Sequence, residues 1–167
     1  MGKKAFSLVE LIIVVAVLGI IASLVLPQVQ GYTIRSKEAA AKDTIHTVRT
    51  QIEFYKFDHD GTPPGYQLGA LAPLLTLERQ FIGTSMLDGR SSANPIPTGL
   101  YIYGPYLQKL PENPFNDLSN FKYVPEGTAF ADAVDGTSSG WLYKKETAEF
   151  KINWPGLDTE GINYYEY

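Results

Sequence analysis

The sequence predicts an α+β fold: one long N-terminal helix whose second half packs on a small antiparallel sheet, with its apolar first half protruding. Three observations predict it. Residues 11–26 form an unbroken uncharged run, LIIVVAVLGIIASLVL. Beyond it, Ala41, Ile45, Val48, Ile52 and Tyr55 recur at helical spacing as a single apolar stripe. The rest of the chain is rich in Gly, Pro, Tyr, Asn and Thr and holds short alternating segments, the pattern of strands joined by turns.

Length and composition set the outer bounds. A chain of 167 residues accommodates one modest domain plus a membrane segment. The formal charge of −4 leaves no electrostatic footprint for nucleic acid, and none is expected as a partner. There is no cysteine, which excludes disulfides, thiolate metal sites and cysteine nucleophiles.

The helix begins in an unusual way. Phe6 to Leu26 is 21 residues, which as a helix spans about 31 Å and matches the roughly 30 Å hydrocarbon thickness of a bilayer. That is too long for the apolar core of a secretory signal, and no Ala-x-Ala site follows it. Instead the chain continues Pro27-Gln28-Val29-Gln30-Gly31-Tyr32, read as more helix after a kink at Pro27. Lys3 and Lys4 should stay cytoplasmic, which sends residue 28 onward to the far side. Glu10 is the residue that a plain anchor does not explain. An acid inside a membrane segment costs roughly 2.5–3.5 kcal/mol on insertion scales and needs a partner. Cutting the Ala5–Phe6 bond would supply one, because Phe6 would then carry a free α-ammonium one helical turn away. The same cut removes both lysines, takes the formal charge from −4 to −6, and releases the cytoplasmic anchor.

Lys3-Lys4-Ala5-Phe6-Ser7-Leu8-Val9-Glu10-Leu11-Ile12 followed by an apolar helix resembles the class III signal of type IV pilins and type II secretion pseudopilins. The resemblance covers about residues 3–30. It implies that a prepilin peptidase cuts between Ala5 and Phe6 and methylates the Phe6 amine, and that Glu10 is required for assembly. It also implies that Pro27 is the proline of the family's long helix. One position departs from the pattern: Ala5 stands where Gly is usual, which should slow processing without forbidding it. The implied partners are further copies of the chain, the prepilin peptidase, an inner-membrane assembly platform, minor pseudopilins, and membrane lipid before assembly. The implied location is the inner membrane, single-pass with a periplasmic C-terminal head, and a periplasmic or extracellular filament afterwards.

Four segments follow. Residues 1–5 are the leader, 6–27 the transmembrane and filament-core helix, 28–57 the amphipathic half, and 58–167 the head. Within 28–57, Lys37, Glu38, Lys42, Asp43 and Arg49 read as a solvated mixed-sign surface. Asp58 to Gly65 is a dense run of turn formers that ends the helix. Residues 70–81 suggest a short helix with Pro73 in its first turn, and 83–99 a long surface loop. The stretch Tyr106-Leu107-Gln108-Lys109-Leu110-Pro111-Glu112-Asn113-Pro114-Phe115 is similar to one found between helix and sheet in major pseudopilins, and favours the secretion branch. Residues 120–124, 140–145 and 148–154 read as antiparallel strands, with 145–147 as the hairpin turn between the last two. The aromatic end, 163–167, adds an edge strand or lies over the sheet.

No catalytic constellation is visible, and the chain reads as a non-enzyme. His46 and His59 read as surface residues without zinc-site spacing. Gly136-Thr137-Ser138-Ser139-Gly140 looks suited to phosphate but precedes a strand, and reads as a turn. The resemblance raises a calcium question, because major pseudopilins often hold Ca²⁺ in an acidic head loop. The candidates are Asp132 and Asp135, or Asp158 and Glu160; neither pair reproduces the family loop, and solvated turn acids with no metal is the preferred reading. The tyrosines serve either core packing or a subunit contact. The function this supports is a structural filament subunit, the major pseudopilin of a type II secretion system. The alternatives are a type IV pilus subunit for adhesion or motility, and a periplasmic enzyme or binding protein on an uncleaved anchor.

Overall fold

The structure is a computed structural model that describes residues 7–167, with residues 24–31 described by their helical course alone. Helix α1 runs from Leu8 to Asp58, 51 residues, one residue past the boundary read from the sequence. The chain divides into two compact units at Lys37/Glu38. Ala5 and Phe6 lie outside the described residues, as do the Pro27 side chain and the kink expected there. In the first unit every large apolar side chain of Leu8–Ile21 is exposed, from Val14 and Val17 at 49% to Leu8 at 75%. Among the described residues no helix is long and apolar enough to cross a membrane; the fully described apolar stretch ends at Ser23, short of the end of the run at Leu26.

The second unit, Glu38–Tyr167, folds around the stripe of α1. Ala41, Ile45, Val48, Ile52 and Tyr55 are all buried. A hairpin of β1 (Tyr66–Gln67) and β2 (Ala70–Leu71) follows the turn formers. Helix α2 is Leu74–Ile82, shorter than the 70–81 expected, because Ala70 and Leu71 pair with β1. Proline at 73 also biases Ala72 away from helical geometry, and Pro73 becomes the N-cap rather than a first-turn residue. The glycine-rich loop is pinned by a two-residue ladder, β3 (Thr84–Ser85) with β4 (Ser91–Ser92).

The sheet is formed by β5 (Phe121–Tyr123), β6 (Trp141–Lys144) and β7 (Glu149–Ile152), with the four-residue helix α3 (Phe130–Ala133) between β5 and β6. β6 and β7 form the antiparallel hairpin the alternation predicts, Trp141 opposite Ile152 and Tyr143 opposite Phe150. β5, however, lies parallel to β6. The sheet is mixed rather than wholly antiparallel. The reason is the connection: a parallel pair needs a crossover of a dozen or more residues, and 124–140 provides one carrying α3.

Because β6 is central, both of its faces are covered. Trp141 and Tyr143 join Phe81, Phe121, Phe150, Ile152 and the α1 stripe in the main core, while Leu142 packs with Val124 and Ala133 in a second cluster. The start of β6 is steric: a Cβ on Gly140 would lie 2.0 Å from the Leu118 carbonyl oxygen, so no other residue fits there. The aromatic C-terminus forms a 3-10 turn, Tyr164–Glu166, rather than an edge strand. Tyr55, Tyr143 and Tyr164 are buried, and Tyr123 and Tyr167 pack against the core. Tyr143 Oη donates to the Pro64 carbonyl at 2.8 Å, Tyr123 Oη to that of Ala72 at 3.1 Å, and Tyr106 Oη to Asp58 Oδ2 at 2.7 Å.

Candidate functional site: the first turn of the long helix and the charged head loops

Glu10 lies in the first turn of α1, where its carboxylate faces the positive end of the helix dipole. Its Oε2 accepts the Ser7 backbone N–H at 3.0 Å, and Ser7 Oγ accepts the Val9 N–H at 3.2 Å. Ser7 is therefore the N-cap and Glu10 the N3 residue of a capping box, two otherwise orphaned donors satisfied by two side chains. The spacing Ser-x-x-Glu just before an apolar run is the signature of that motif, so residue type and spacing alone mark it.

Charged groups of the head meet at two loops, one around Asp158 facing α1 and one around Asp135. Glu38, read as solvated, is 5% exposed. Its Oε1 accepts from Thr159 N–H at 2.9 Å and Tyr164 Oη at 3.1 Å, and its Oε2 from Thr159 Oγ1 at 2.7 Å. The signal was the stripe itself, since 38, 41 and 45 continue the same spacing. Asp158 accepts the N–H groups of Glu160 at 2.8 Å and Ile162 at 2.9 Å, and the Tyr167 hydroxyl at 2.7 Å. Lys42 approaches its Oδ2 to 3.5 Å. Burial opposes ionisation of Asp158, but the Ile162 N–H and the other donors outweigh it and hold the carboxyl down at about 2. Arg49, also read as solvated, donates to the Phe150 carbonyl at 3.0 Å and to the Tyr167 oxygen.

At the other loop, Asp135 is the acceptor for its own turn, Thr137-Ser138, and for Asn153. Within 136–140, the Thr137 and Ser138 N–H groups are thus already bound to a carboxylate, that of Gly136 to Asn153 Oδ1, and that of Gly140 to the Asn120 carbonyl. Asp132 and Glu160 are exposed. Among the described residues no three His, Cys, Asp or Glu side chains converge as a metal site.

His46 is exposed, as read, but His59 is not: it is 1% exposed. Its Nδ1 lies 2.8 Å from the Tyr55 carbonyl and its Nε2 3.0 Å from Ser85 Oγ, with the ring stacked on Tyr55 at 3.7 Å between centroids. Nδ1–H therefore donates and Nε2 accepts from the serine hydroxyl, which uses both nitrogens of a neutral ring. His59 extends the stripe one turn beyond Tyr55, a position the period itself marks.

A long helix with an exposed apolar N-terminal stretch, and a small head built on a helix-backed sheet, define a pilin-like fold. Comparison with known proteins points the same way. The family described as "Prokaryotic N-terminal methylation motif" matches residues 1–26. The chain is 30% identical over 143 residues to type II secretion system core protein G of Pseudomonas aeruginosa, covering 83% of this chain and 88% of that protein. It is 29% identical to the protein of the same name from Vibrio cholerae, over 83% of this chain and 85% of that one. A fimbrial protein of Pseudomonas aeruginosa is 41% identical, but over only 52 residues, 31% of this chain and 34% of that protein. No solved structure matches. The chain belongs to the family of type II secretion system core protein G, the major pseudopilins.

Proposed function

We propose that this major pseudopilin is cut between Ala5 and Phe6, methylated at the Phe6 amine, and polymerised through α1, with the Glu10 carboxylate of one copy meeting the Phe6 ammonium of a neighbour. The observation that carries the reading is Glu10 at the head of an apolar stretch whose side chains are exposed. Residues 6–27 then sit in the inner membrane before assembly and form the fibre core afterwards. Residues 28–57 carry the head, and 58–167 stay on the periplasmic side. Loss of Lys3 and Lys4 with the leader removes the cytoplasmic anchor and favours extraction from the bilayer. The growing polymer needs the prepilin peptidase, an assembly platform in the inner membrane and minor pseudopilins. Its work is assembly rather than catalysis, as the core protein G relationship supports.

A secretion pseudopilus is favoured over a type IV pilus by where the similarity lies. The core protein G relatives match across helix and head, whereas the fimbrial match covers only 52 residues. The test is Glu10→Ala in a strain that secretes. Membrane-fraction levels should equal wild type, while cross-linked multimers and secretion are lost. Wild-type multimers in the variant would overturn the pairing.

A further inference from the structure

Both acidic loops of the head hold a cation of their own. Calcium takes six to eight oxygen ligands at about 2.3–2.6 Å and needs carboxylate oxygens free to turn toward it. Asp135 has none to spare. Its Oδ1 accepts from the N–H groups of Thr137 and Ser138 and from Asn153 Nδ2, each at 2.9 Å. Its Oδ2 accepts from Ser138 Oγ at 2.5 Å and from Lys122 Nζ at 2.7 Å. The same ammonium donates to the Ala133 carbonyl at 3.2 Å. Lys122 thus bridges a carboxylate and a backbone carbonyl, the two ligand types that a head-loop calcium would use. At the Asp158 loop the cation is an ion-pair partner only: Lys42 Nζ stands 3.5 Å from Oδ2 and over the Tyr167 ring at 4.4 Å, while the Glu160 and Ile162 N–H groups and the Tyr167 hydroxyl donate to the carboxylate. The residues present do not fit calcium in either loop.

We propose that the Lys122 ammonium is the resident cation of loop 132–139, with Lys42 as the ion-pair partner of Asp158, so that the head closes without calcium. Lys122 reaches the loop from β5, across the crossover that makes β5 parallel to β6. A cation carried on the sheet ties the α3 crossover to the strand beneath it and cannot be chelated. The proposal concerns the head alone and stands or falls apart from the pairing of Glu10.

The test uses the full-length protein in detergent micelles, with thermal unfolding followed by tryptophan fluorescence. Trp154 is a local reporter: a Cβ on Gly136 would lie 3.3 Å from its ring. The wild-type midpoint should agree within about 1 °C between excess CaCl₂ and excess EGTA, and native mass spectrometry in calcium should show no stoichiometric ion. Lys122→Met should lower the midpoint by about 2–5 °C in EGTA, while Lys122→Arg should keep most of the wild-type value. A saturable rise of several degrees in the wild type with calcium would overturn the proposal, as would a Lys122→Met midpoint equal to wild type. If Lys122→Met fails to fold, the wild-type calcium comparison and Lys122→Arg still decide it.

Discussion

At His59, burial and hydrogen bonding act on one ring. Desolvation is the larger influence and lowers its pKa below the ordinary 6.5, although the Tyr55 carbonyl, Asp58, the Met86 backbone and Asp60 pull the other way. Tyr55, Tyr103 and Tyr106 close around it, and Ser85 caps Nε2. A group whose pKa is lower in the folded than in the unfolded chain leaves the unfolded chain with more protons as pH falls below about 6.5. The stability from neutral His59 is therefore complete above that pH and is lost as pH falls toward the lowered value. The midpoint of thermal unfolding should drop between pH 7.5 and pH 5.5. In His59→Gln the midpoint at pH 7.5 should be lower and the slope across that window shallower; an unchanged slope would count against the assignment. Glu38 shows burial and hydrogen bonding acting together as well: an acid on an apolar stripe persists because Thr159 and Tyr164 satisfy it.

At the scale of elements, the α1 stripe organises the head. Ile45, Val48 and Ile52 are each no more than 2% exposed and pack under the main cluster. Ile52→Ala should destabilise the head by about 2–5 kcal/mol in urea unfolding, through lost burial and the cavity left behind. Phe54→Ala, on the exposed face of the same helix, is the control and should change stability far less. Periodicity made α1, its buried face, and the β6–β7 hairpin legible from residues alone. It also contained the Glu38 and His59 positions, but residue type outweighed spacing there, because Glu and His are usually solvent-facing. Two features were hidden for another reason. The short ladders β1–β2 and β3–β4 are two residues each, below any readable period. The direction of β5 depends on a crossover whose length was visible but whose return path is tertiary.

Across the whole molecule, motif and fold answered different questions. The first ten residues and the apolar run announced a pilin-like subunit, and the relatedness of helix and head to core protein G assigns the secretion branch. The loop acids were expected to be solvated, but Asp158 is buried, and the lysines that face Asp135 and Asp158 come from β5 and α1, which only the tertiary fold brings to the loops. Ser7 and Glu10 are the reverse case, a local motif fully present in the sequence. Their capping box gives the carboxylate one neutral donor within its own chain, which orients it and leaves its charge to be balanced by the ammonium proposed above.

The most direct test of the account is the intact mass of the protein extracted from membranes of cells that secrete. The account predicts a chain lacking Met1–Ala5 and carrying one added methyl group on Phe6. A full-length, unmethylated mass in such cells would contradict it, because Glu10 would then have no exposed amine to meet.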